Sequence, residues 1–210
     1  MRKSNIVRLC VSELVFDFSI YPRHNIDETN VREIAHAIAC GSIIPAIIID
    51  RESRRIIDGF HRGTAIKRFG GDTAEIECEA RDYPSEAHMF QEAMLLNSGH
   101  GKKLTSFDKT RCILLARKLG LADGVIAGSL RMTADQLDSW TITRTAIGPD
   151  ETLVPVKGKS APALVGTRVS ADQLAANARA DGNHIIRHIN QIINAIDGGL
   201  VDLSDELLLA

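Results

Sequence analysis

Aromatic residues are scarce in this chain: Phe, Tyr and Trp make up 4% of its 210 residues. The core must therefore rest mainly on Ile, Leu, Val and Ala. No apolar run approaches the roughly 20 residues needed to span a bilayer. The opening Met1-Arg2-Lys3-Ser4 is too polar for the h-region of a signal peptide. A cytoplasmic protein with no membrane partner is expected. Paired cysteines are missing too. Cys10, Cys40, Cys78 and Cys112 lie far apart in the sequence, which excludes the usual zinc-ligand spacing and points to reduced core thiols. There is no surplus of positive charge, since the formal net charge is −2. Any contact with DNA must come from a local basic patch, not from an overall field. Internal repeats and low-complexity segments are also absent.

What remains is an ordinary globular composition, 44% hydrophobic and 25% charged. The first hundred residues alternate between strand and helix signals. Residues 6–9 suit a strand, and an irregular stretch runs through Tyr21-Pro22-Arg23. Asp27 is then an N-cap for a helix with Val31, Ile34, Ala35 and Ile38 on one face, closed by Gly41. Residues 43–50 and 54–57 are β-branched runs, 75–80 alternate like a strand, and Pro84-Ser85 opens a helix reaching Asn97. From Leu104 onward the signals are helical, beginning with the capping box Thr105-Ser106-Phe107-Asp108. The fold class expected is an α/β N-terminal domain with a small mixed sheet, followed by an all-α segment and C-terminal helices. The expected boundaries are 1–103 for the α/β domain, 104–145 for the helical domain, 146–169 for a mobile linker and 170–210 for a C-terminal helical segment. In that last segment Ile185, Ile189, Ile192, Ile193 and Ile196 form an amphipathic stripe. It suits either packing on the helix before it or oligomerisation.

The chemistry concentrates in Asp58-Gly59-Phe60-His61-Arg62-Gly63-Thr64-Ala65. A strand that turns at glycine into a helix exposes unpaired N–H groups at the positive end of the helix dipole, a natural place for phosphate. Arg62 sits at the edge of the helix's buried stripe, and two readings are open. It either pairs structurally with Asp58, or joins His61 in holding an anion on the backbone of residues 59–63. Asn97 ends an apolar helical stripe and precedes the polar, basic loop Ser98-Gly99-His100-Gly101-Lys102-Lys103. It is either a helix C-cap or, with His100 and Lys102, the closure of the same site.

Taken together, Tyr21-Pro22-Arg23, Ile44-Pro45-Ala46-Ile47-Ile48-Ile49, the Asp58-Gly59 loop and residues 97–105 resemble the N-terminal domain of the ParB family. That family shares its fold with sulfiredoxin, and the second motif is closest to StrR-type ParB-like regulators. The resemblance covers residues 6–145. It implies a nucleotide or phosphate site at Arg23, Gly59, His61, Arg62, Gly63, Asn97, His100 and Lys102, taking CTP or ATP with Mg²⁺. The chain departs from the partition proteins where His61 and His100 replace expected cations, since histidine is mostly neutral at pH 7. Phe60 stands where sulfiredoxin has its catalytic cysteine, which excludes that activity. Free-serine kinases on this fold also carry a D-G-x-H-R loop, and here His24, Asp27 and Glu28 occupy the neighbourhood of their base.

Residues 126–140 follow the helix–turn–helix template, with Ile126, Ala127, Leu130, Met132, Leu137 and Trp140 at packing positions. Arg131 takes the turn position usually given to glycine. Arg131, Thr133, Gln136, Ser139 and Arg144 are the expected DNA contacts. Residues 105–145 hold six Lys or Arg against four Asp or Glu, so one such module should bind weakly and work as a homo-oligomer. The sequence thus reads as a ParB-like DNA-binding protein, either a transcriptional regulator or a partition-type factor. The alternative is an enzyme, a small-molecule phosphotransferase, nucleotide hydrolase or nuclease using the Asp58-Gly59-Phe60-His61-Arg62 loop.

Overall fold

The structure is a computed structural model and describes residues 5–99, 103–157 and 161–179. The chain divides into two compact units, Met1–Ile142 and Thr143–Ala210.

The first unit contains β1 (Asn5–Cys10), α1 (Glu28–Ala39), β2 (Ile47–Asp50), β3 (Ile56–Asp58), α2 (Phe60–Gly70) and β4 (Glu75–Arg81). Four helices follow: α3 (Glu86–Gly99), α4 (Ser106–Lys118), α5 (Asp123–Leu130) and α6 (Ala134–Thr143). The sheet order is β1-β4-β2-β3, with β4 and β2 parallel and the other pairs antiparallel. A small mixed sheet flanked by helices is the α/β class expected from the sequence.

Side-chain alternation along the central strand builds two cores. Ile47 and Ile49 join Leu9, Ile56, Phe60 and Ile76 on one face. Ile48 and Ile57 join Phe90, Met94, Ile113, Ile126 and Leu137 on the other. The sheet is thus clamped between α1–α2 and the later helices, and the end of β3 delivers the chain into α2.

Helix starts follow the expected caps. Asp27 accepts from the N–H groups of Thr29 and Asn30, and Thr105 and Asp108 form a reciprocal capping box. One strand is shorter than the apolar run 43–50 suggests. Pairing covers only Ile47–Asp50, because Pro45 has no N–H for a ladder and Ile43 stands 98% exposed.

In the second unit, β5 (Thr145–Ile147) and β6 (Leu153–Pro155) pair antiparallel, followed by a 3-10 turn at Pro162–Leu164 and α7 (Ala171–Arg179). Ala146, Val156 and Val169 are buried at its centre. The described residues of 146–169, a stretch expected as a linker, therefore include regular structure. Its strands are three residues each, too short for alternation to reveal them in the sequence. The isoleucine stripe at 185–196 lies outside the described residues, as do His100 and Lys102.

Candidate functional site

Beneath the loop at Asp58-Gly59 lies a cluster formed by four of the chain's few aromatics. The Phe60 ring lies 4.3 Å from Tyr21, 5.7 Å from Phe18 and 6.1 Å from Phe16. Phe60 is thus a core anchor at the head of α2, and Tyr21 ties it to the segment that carries Arg23. Burial pushes the Tyr21 phenol well above its usual range, so it stays neutral.

Gly59 is the N-cap of α2 at φ 106°, and no side chain caps this helix. The start of this helix borders an open space. That space is a cavity of about 590 Å³ lined by Tyr21, Arg23, Asn30, Asp58, Gly59, His61, Arg62 and Asn97, with Ile34, Ile44, Pro45 and Leu96 as its apolar wall. The volume falls within the roughly 300–1,000 Å³ typical of small-ligand sites. Arg23, Asn97 and the 59–62 loop, widely separated in sequence, are brought together here.

Their individual roles differ from the expectation in several places. Arg62 donates to the carbonyls of Pro45 (2.8 Å) and Ala46 (3.1 Å) and to Asp58 (2.8 Å). Of its two open readings, the structural pairing is the one seen, and it fastens the loop to the lead-in of β2. Gly63 does not line the cavity. A Cβ there would meet Phe16 at 3.0 Å and Ile47 at 3.3 Å, so this glycine serves helix packing and not ligand approach. His61 accepts the Asp27 N–H on Nε2 at 3.1 Å, which leaves Nδ1 to carry the proton of the neutral ring. Asn97 is not a C-cap, because α3 continues to Gly99, and its amide donates to the Ala93 carbonyl at 2.9 Å.

The groups considered as a kinase-type base are engaged elsewhere, and none lines the cavity. His24 is bound to Asp108, Asp27 caps α1, and Glu28 pairs with Arg68. Among the described residues no cluster of three or more His, Cys, Asp or Glu could hold a metal.

Sequence reasoning missed Asn30, and read Asp108 only as part of a helix cap, not as the partner of His24. Asn30 follows Asp27 by one helical turn, a spacing that would have placed it above the loop. Asp108 is only 3% exposed on its side chain, yet it serves both the Thr105 cap and His24.

The packing positions of the α5–α6 pair are buried or half-buried as expected. Arg131 occupies the left-handed region at φ 53°, with its guanidinium lying over Gly99. Thr133 and Gln136 form a reciprocal capping box, with bonds of 3.0 and 3.2 Å. The Gln136 carbonyl oxygen is thereby turned back to its own helix, which a base-reading role would have to undo. Asp138 faces Arg117 of α4 at 3.8 Å. Thr133 and Ser139 are exposed, and Arg144 belongs to the second unit.

No helix among the described residues is long and apolar enough to cross a membrane. No family model matches the chain, and no curated protein matches it. Similar solved structures exist. One is the chromosome-partitioning protein ParB from Caulobacter crescentus complexed with CTP-gamma-S, at 13% identity and TM-score 0.41 over 65% of this chain and 76% of that one. The same protein complexed to the centromeric parS site aligns at 13% identity and TM-score 0.46, over 64% and 69% of the two chains. A Pnob8-like ParB-N domain aligns at 17% identity and TM-score 0.43, over 73% and 57%. All are ParB structures, the family that the sequence motifs resemble.

Proposed function

We propose that this is a ParB-like DNA-binding protein whose first unit binds a nucleotide or similar phosphate ligand. The observation that carries the reading is the uncapped N-terminus of α2, opening into a cavity that Arg23 and Asn97 also line. Helix N–H groups and a guanidinium are anion donors, and the apolar wall from Ile34 to Leu96 suits the rest of a small organic ligand. The α5–α6 pair is the proposed DNA contact, used by a homo-oligomer acting as a regulator or partition-type factor.

Isothermal titration with CTP, ATP and ADP, with and without Mg²⁺, tests the ligand. Arg23→Ala should lower affinity about tenfold or more, as for a lost charge-assisted hydrogen bond, with a smaller drop in melting temperature from the loss of its 3.5 Å bond to the Lys103 carbonyl. Arg62→Ala should instead lower the melting temperature, because three bonds that pin the loop disappear. Absence of heat with every nucleotide would remove the ligand half of the proposal.

DNA binding is tested by gel shift across about 50 to 200 mM salt. Binding should weaken steeply with salt, and Arg131→Ala should reduce the salt slope by about 1. Retention indifferent to salt would argue against phosphate contacts.

A further inference from the structure

The segment that brings Arg23 to the cavity has no ladder or helix of its own to satisfy its backbone. Its polar groups must find partners elsewhere. The Ser19 and Tyr21 N–H groups bond locally, to Asp17 and the Phe18 carbonyl. The carbonyls of residues 18 and 21–23, with the His24 N–H, bond to one helix. Arg111 of α4 donates to the carbonyls of Tyr21 (2.6 Å), Arg23 (3.4 Å) and Phe18 (3.3 Å). The Cys112 thiol, pushed up to about 12 by burial, donates to the Pro22 carbonyl at 3.2 Å. Asp108 accepts the His24 N–H at 2.9 Å and bonds His24 Nδ1 at 2.8 Å. Residues 108, 111 and 112 share one helical face, and that face is given over to the backbone of residues 18–24.

We infer that α4 is the positioning element of the cavity, with Asp108, Arg111 and Cys112 setting where Arg23 meets the ligand. The inference rests on the ligand site proposed above and adds a role for residues that do not line it. Asp108 also closes the capping box at the start of α4. The same carboxylate therefore joins the first turn of that helix to the Arg23 segment. A shift of α4 would carry Arg23 with it, and a ligand that holds Arg23 would hold α4.

The test uses the full chain. Arg111→Met keeps the aliphatic stem and removes all three carbonyl contacts, and Arg111→Lys keeps a single donor. Amide exchange of residues 18–24 should quicken about tenfold or more in Arg111→Met, less in Arg111→Lys, while β4 amides keep their wild-type rates. Unchanged exchange in 18–24, or equal acceleration in β4, would overturn the inference whether or not a nucleotide binds.

CTP affinity supplies the second arm. Arg111→Met should weaken binding about as much as Arg23→Ala, with no further loss in the double variant, because one acts through the other. Full additivity, or wild-type affinity in Arg111→Met, would overturn the positioning role. If the wild-type chain binds no nucleotide, the ligand reading fails, and the exchange arm still decides whether α4 holds the segment.

Discussion

Replacing Gly59 with alanine should destabilise the first unit by about 2–4 kcal/mol and lower its melting temperature by roughly 10 °C. Two penalties combine at this position. The backbone sits at φ 106°, where an L side chain is strained, and a Cβ would lie 2.9 Å from Ile47 Cγ1 and 3.0 Å from the Arg62 guanidinium. Ile47 belongs to the fully buried central strand and cannot retreat. Arg62 can move only by giving up bonds to Pro45, Ala46 or Asp58. Gly41→Ala is the control. It shares a positive φ, 82°, but has open space around it, so only backbone strain of about 1 kcal/mol is expected. Thermal unfolding followed by circular dichroism separates the two. Equal losses at Gly41 and Gly59 would mean that the contacts with Ile47 and Arg62 do not matter.

The second large effect is acid sensitivity centred on Asp108. Burial pushes this carboxyl upward, but hydrogen bonds from His24 and Thr105 outweigh it and hold the group at about 2, below its usual 3.8. A carboxyl depressed on folding stabilises the native state above its unfolded value and loses that contribution as pH falls through the folded one. Asp108 should therefore contribute about 2 kcal/mol near neutral pH, lost between about pH 4 and pH 2. Asp108→Asn should cost about 2–3 kcal/mol at pH 7, since the amide cannot accept all the donors the carboxylate does. The gap between wild-type and variant melting temperatures should narrow as pH drops from 5 to about 2. Parallel melting curves over that range would show that Asp108 contributes nothing sensitive to protonation.

Much of the fold was legible because its signals are local. Asp27, the Thr105–Asp108 box and Thr133 mark helix starts through bonds spanning only a few residues. The apolar run into Asp50 marks a strand buried on both faces. Arg131 stands where the α5–α6 turn needs a left-handed residue, and it adopts that conformation. The strands of the second unit were missed for the converse reason. Three residues cannot display a period of two.

The site was legible in its parts but not in its wiring. The sequence singled out Arg23, the 59–62 loop and Asn97 as polar residues in telling contexts, and all of them line one cavity. It left Arg62 between two roles, since a guanidinium near a carboxylate and one near an anion look alike in a linear string. The structure shows its bonds to the Pro45 and Ala46 carbonyls, and a carbonyl's orientation has no signature in residue type. Gly63 was misplaced for a similar reason, because the neighbour that excludes a Cβ is Phe16, far back in the chain.

By itself, then, the sequence determined the α/β class, most helix starts and the phosphate-type loop, because caps, periodicity and glycine turns are settled within a few residues. Only the tertiary structure decided which of these residues line one cavity and which bonds hold the scaffold. It also showed that α4, beyond the α/β domain, supplies the bonds that keep the Arg23 segment in place. Those choices depend on backbone groups brought together across more than eighty residues, where chain spacing carries no information.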